Sequence, residues 1–161
     1  MSYRPQFAYR TPPGCRDLDF TYVFDGSNVP VLATNLAGAS SFEIPLPLER
    51  DAPFLWRGLK VNATLTAGLV YGFPNVSVQF TDPYLNPLSD GLVPATLYGF
   101  PSNPMQFLGQ LLTGPPVPLE DEIFCPAGSV VLVTVSAGAA QAFLSFSLHG
   151  VKRYKDCGRA Q

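Results

Sequence analysis

Apolar and polar residues alternate with a period of two along much of this chain. In LDFTYVF, Leu18, Phe20, Tyr22 and Phe24 share one face. In LKVNATL, Leu59, Val61, Ala63 and Leu65 point one way and Lys60, Asn62 and Thr64 the other. In FLSFSLHGV, Leu144, Phe146 and Leu148 face inward, while Ser145, Ser147 and His149 face outward. VVLVTV is continuously apolar and rich in β-branched residues, the pattern of a strand buried on both faces. Adding SSFEIPL, NVSVQF, PATLYGF and EDEIF predicts about eight strands and no convincing helix. Asp25-Gly26-Ser27-Asn28 reads as a turn into VPVLATN. Short strands at this spacing predict an all-β antiparallel sandwich, jelly-roll-like in form.

The rhythm breaks between Pro101 and Pro118, in PSNPMQFLGQLLTGPPVP, which reads as a long loop. YGFPNVSVQF from Tyr71 and YGFPSNPMQF from Tyr98 agree at six of ten positions, but their flanks differ. Two such copies do not make a repeat architecture.

Composition narrows the class. Of 161 residues, 47% are hydrophobic and 14% charged, so the chain can build a core and is not of the disordered kind. No stretch is long and apolar enough for a membrane helix, and the first residues lack the apolar core of a secretion signal. Three cysteines, Cys15, Cys125 and Cys157, are then expected to be reduced thiols, and the acceptor patterns at Asn62 and Asn75 carry no weight. Charge is segregated. Residues 1–16 carry +3, residues 150–161 carry +3, and the middle carries −8. Basic ends on an acidic body suit an acidic protein surface better than nucleic acid, which calls for a basic face.

Catalytic patterns are sparse. The one histidine, His149, lies on a polar strand face, and no Gly-x-Ser-x-Gly elbow accompanies it. The cysteines lack metal-ligand spacing, and no phosphate-cradling loop occurs. Glu120, Asp121 and Glu122 read most simply as a solvated strand edge that resists aggregation. DPYLNPLSD, with Asp82, Asn86 and Asp90, reads as turn chemistry in which Asp and Asn bond nearby backbone. No cofactor is implied. The aromatic load points to contacts instead. Straight alternation puts Trp56 on the face of Lys60 and Asn62, half exposed, although a core anchor is the slightly favoured reading. Arg57 shares parity with Leu55 and Leu59, so its guanidinium should reach a buried or interfacial acceptor. Trp and Arg are favoured at interface centres.

PFLWRGLKV (residues 53–61), VQFTDPYLNPLSDGLVPATLYG (78–99), EDEIFCPAGSVVLVTV (120–135) and LSFSLHGVKRY (144–154) together resemble small structural proteins of tailed bacteriophages. These are the minor capsid, decoration or cement proteins. The likeness covers about half the chain, in order, through structural motifs. It implies a virion protein on the capsid surface, assembled in the host cytoplasm. Its partners would be the major capsid protein and other copies of itself, with no direct nucleic-acid or membrane contact. It fits the three parts that the segregated charge marks out: an N-terminal arm (1–16), a sandwich (17–150) and a basic C-terminal arm (151–161). The arms would supply Tyr3, Arg4, Phe7, Tyr9 and Arg10 at one end and Lys152, Arg153, Tyr154 and Lys155 at the other, with Trp56 and Arg57 as further contacts. Aromatic burial would supply most of the affinity and charge the steering. Competing expectations are a tail or connector component, a carbohydrate-binding sandwich stacking sugars on Trp56, Tyr71 and Tyr98, and a hydrolase around His149.

Overall fold

A computed structural model describes residues 11–34, 41–65, 76–99, 116–137 and 142–155. Eight strands are found among them: β1 (Cys15–Phe24), β2 (Ser41–Pro47), β3 (Phe54–Leu65), β4 (Val76–Thr81), β5 (Val93–Pro94), β6 (Val117–Cys125), β7 (Val130–Ala137) and β8 (Ala142–Lys155). β1 pairs with β8, β2 with β7, β3 with β6 and β4 with β5, all antiparallel. The chain thus doubles back as one long hairpin of strand pairs. That hairpin then wraps, so that β8 lies beside β3 and β7 beside β4. The result is two four-stranded sheets, β1-β8-β3-β6 and β2-β7-β4-β5.

The sheets face each other across one apolar core, because each strand presents alternate side chains to it. Leu59, Val61, Phe146 and Leu148 meet Ile44, Leu46, Val133 and Val135, all fully buried. Phe80 of β4 bridges the sheets, with its ring 6.2 Å from Trp56 and 5.8 Å from Phe146, both edge-on. Burying each such side chain contributes roughly 1.5–3 kcal/mol against the entropy of ordering the chain.

Four expectations are corrected. β7 is not buried on both faces: Val131, Val133 and Val135 are buried, while Leu132, Thr134 and Ser136 are only half-buried. PATLYGF is not a strand. β5 stops at Pro94, which has no N–H to continue the ladder, and Ala95–Tyr98 form a 3-10 helix. Likewise the turn at Asp25 leads into a 3-10 helix over Pro30–Ala33, whose Leu32 plugs the core. Finally, β8 does not leave the body at Gly150. It runs to Lys155 between β1 and β3, and β1 begins at Cys15, so residues 15–16 and 151–155 belong to the sandwich and not to arms. Most of the long loop between Pro101 and Pro118 lies outside the described residues; Val117 and Pro118 belong to β6.

One local device reorganises β3. The register slips between Trp56 and Gly58 against both neighbouring strands; against β8 these two residues face the consecutive Gly150 and His149, so Arg57 is the extra residue of a β-bulge there. An inserted residue reverses the parity of everything beyond it. Phe54 and Trp56 therefore face the core together with Leu59 and Val61. Trp56 is 0% exposed, and its indole Nε1–H donates to the Gly58 carbonyl at 2.9 Å. The half-exposed placement came from counting straight through the bulge.

Candidate interaction surface

One end of the sandwich gathers the start of β1, the β2–β3 and β6–β7 connections, the β4–β5 loop and the end of β8. The β8 sequence HGVKRYK supplies all four residues expected as contacts of the basic C-terminal arm. Lys152 continues the inward parity of Leu148 and is 2% exposed. Its ammonium lies 3.9 Å from the centre of the Phe20 ring and donates to Glu49 Oε2 and, at 3.0 Å, to Asp51 Oδ1. Burial pulls the Lys152 pKa down, but the two carboxylates outweigh it and the net shift is upward. Arg153, on the opposite parity, donates from Nε and Nη2 to the two oxygens of Asp17 at 2.8 and 2.9 Å. That fork holds the Asp17 carboxyl below the usual range. Tyr154 donates to Asp51 Oδ2 at 2.7 Å, and Lys155 is exposed.

The bulge turns Arg57 toward β6, where its Nε donates to Glu122 Oε2. Glu122 has a side chain only 2% exposed, and its Oε1 is buried without a hydrogen-bond partner. The acceptor expected for Arg57 therefore lies within the chain. Asp17–Arg153 and Arg57–Glu122 together span all four strands of one sheet, with the two arginines on the central strands and an acid on each edge strand. Glu120 and Asp121 remain exposed on β6, an edge strand.

The residues proposed from sequence thus divide. Arg57, Lys152 and Arg153 are committed to internal ion pairs, and Trp56 is core. Tyr3, Arg4, Phe7, Tyr9 and Arg10 lie outside the described residues, as do residues 156–161 and Tyr71. Tyr98 packs against Phe80 at 5.5 Å. His149 Nε2 lies 3.0 Å from Ser147 Oγ, but its Nδ1 meets the Thr21 hydroxyl at 3.2 Å, where a triad would place a carboxylate. Burial and the Lys60 charge lower its pKa. Burial, aided by the Asp82 charge, pushes the Cys125 thiol up to about 12, so it stays protonated at neutral pH. Among the described residues no three His, Cys, Asp or Glu side chains converge as a metal-ligand set.

The same end presents what sequence reasoning passed over as a turn. Asp82 is buried, and its Oδ1 accepts from the backbone N–H of Tyr84 at 2.8 Å and of Asn86 at 2.9 Å. Those bonds bracket Leu85, which sits at φ 67°, the left-handed region that a branched side chain enters at roughly 1–2 kcal/mol. The loop holds Leu85 outward at 73% exposure. Beside it Tyr84 donates to the Phe124 carbonyl at 2.8 Å, and both rings are exposed. The only signal in the sequence is an apolar pair, Tyr84-Leu85, inside an Asp-Pro…Asn-Pro turn. No family model, curated protein or solved structure matches this chain.

Proposed function

We propose that this chain is a structural protein of a tailed bacteriophage that decorates or cements the capsid, binding the major capsid protein and neighbouring copies. We read its fold as a jelly roll. The strand order β1-β8-β3-β6 against β2-β7-β4-β5 supports that reading, because a four-pair hairpin rolled once places its strands in this order. The architecture recurs in viral capsid domains, though also in lectins and cupins. The four stretches resembling phage shell proteins tilt the choice toward a virion.

The carrying observation for contact is the Tyr84–Leu85–Phe124 tip. An apolar side chain held outward in a strained conformation is disfavoured in an isolated molecule and becomes favourable once covered. The contact region of the sandwich is therefore this tip, with the N-terminal segment as a second point of attachment. Lys152 and Arg153 are held by Glu49, Asp51 and Asp17 and do not reach out. Burial of Trp56 and packing of Tyr98 remove two of the three sugar-stacking rings, so the carbohydrate reading is the weaker one.

Copy number per purified particle, by quantitative mass spectrometry, tests the role. Hundreds of copies are expected for decoration. A dozen or fewer would move the protein to the tail or connector, and absence from the particle would end the virion reading.

A further inference from the structure

The four edge strands differ in how they resist pairing. β2 carries Pro45 and Pro47, β6 carries Pro118 with Glu120 and Asp121, and β5 is two residues long and ends in Pro94. Prolines and charges of this kind block strand addition. β1 runs ten residues without a proline, and no described strand pairs with its outer side. A groove of about 250 Å³ lies there, lined by the consecutive residues Phe20 to Phe24 with Asn28, Pro47 and Glu49. Consecutive residues can line one groove only along a strand's edge, because successive side chains point to opposite faces. Asn28 Nδ2 already donates to the Val23 carbonyl at 2.7 Å, closing one end of that edge as a strand would.

We propose that the β1 edge takes residues 3–10 of a second copy of this chain as an added strand. The proposal rests on the reading that copies touch one another. The segment YRPQFAYR has the period of a strand, with Tyr3, Phe7 and Tyr9 on one face and Arg4, Gln6 and Arg10 on the other. The rings match the half-exposed Phe20 and the aromatic row behind it. The arginines match Asp19, which is exposed on the outer face. Pro5 is tolerated in an outermost strand when its nitrogen faces away from β1. Residues 11–14 turn away from this edge. Cys15 N–H donates to the Pro12 carbonyl at 3.1 Å, and Gly14 takes φ 78°, closing a tight turn. Thr11 Oγ1 then donates to Asp17 Oδ2 at 2.8 Å, placing Thr11 on the sheet's outer face, away from the groove between the sheets. Backbone bonds to the edge and side chains in the groove are the means by which an extended segment joins a sheet.

The test uses the full chain with p-benzoylphenylalanine in place of Phe7, mixed as equal parts light and nitrogen-15 protein and irradiated without shells. Crosslinks from position 7 to residues 20–24 or 47–49 in mixed-isotope peptides are expected. Crosslinks confined to single-isotope peptides, crosslinks elsewhere, or none at up to about 1 mM protein overturn the proposal. Asp19→Lys should weaken self-association in sedimentation by about threefold, and unchanged association would overturn the match of the arginines to Asp19. Shell binding, assayed on the same preparation, separates the two readings: binding retained without mixed crosslinks overturns the strand exchange alone.

Discussion

The end of β8 and the β4–β5 loop lie at the same end of the sandwich and treat their side chains in opposite ways. In β8 a lysine is buried and two cations are fully paired. In the loop a leucine is pushed into water and held there by Asp82. From the sequence the first looks like a docking arm and the second like an ordinary turn. The difference teaches that charge density does not mark a contact surface when acids from distant strands can reach it. A small apolar tip fixed by backbone bonds is the better mark, because it has no internal partner to satisfy it.

The contrast can be broken most severely at Lys152. Removing both acids with Glu49→Ala and Asp51→Ala should cost about 3 kcal/mol in urea unfolding, because an ammonium is left buried without a counter-charge. Lys152→Met, which removes the charge instead, should cost well under half as much; equal losses would mean the pair is not what holds this end. Next in size is Gly150→Ala. A Cβ there would stand 1.9 Å from the Leu55 carbonyl across β3, so the two strands must part, at about 1–3 kcal/mol. An unchanged midpoint would show that β8 does not approach β3 so closely.

Acid should loosen the β8 side in two stages. The folded pKa of His149 is lowered, so below about 6.5 the unfolded chain takes up the proton first and stability falls as pH drops. His149→Gln should remove this first stage from a thermal midpoint measured against pH. The Asp17 and Asp51 carboxyls are also lowered, Asp17 by Arg153 and Asp51 by Tyr154 and then Lys152. Their stabilisation is present above 3.8 and lost as pH falls through the folded values, giving the second stage. The smallest effect on stability belongs to the loop. Leu85→Asn suits a left-handed backbone better and should shift stability by no more than about 0.5 kcal/mol. It should nonetheless reduce binding to purified shells at least about tenfold, the loss of roughly 1.4 kcal/mol of burial. Full binding by this variant would remove the tip from the contact.

Legibility followed the range of the forces involved. The inward faces of β1 and β8 could be read directly, since Tyr22, Phe24, Phe146 and Leu148 alternate without interruption. The Asp82 turn was equally readable, because Asp bonds to backbone only two and four residues away. The parity of β3 was not, because nothing local to FLWRGLK announces an extra residue at Arg57; the slip exists only against β6 and β8. Leu85 escaped notice for a related reason, since its backbone angle and exposure are properties of the closed loop.

By itself, then, the sequence determined that this chain is built of alternating strands joined by proline- and glycine-rich turns, because alternation is a relation between neighbouring side chains. Which bases are available for contact was decided only by the tertiary structure. Asp17 and Arg153 stand 136 positions apart, and Lys152 meets its acids across more than a hundred. Ion pairing depends on distance in space, and only the wrapping of β8 between β1 and β3 brings those charges together.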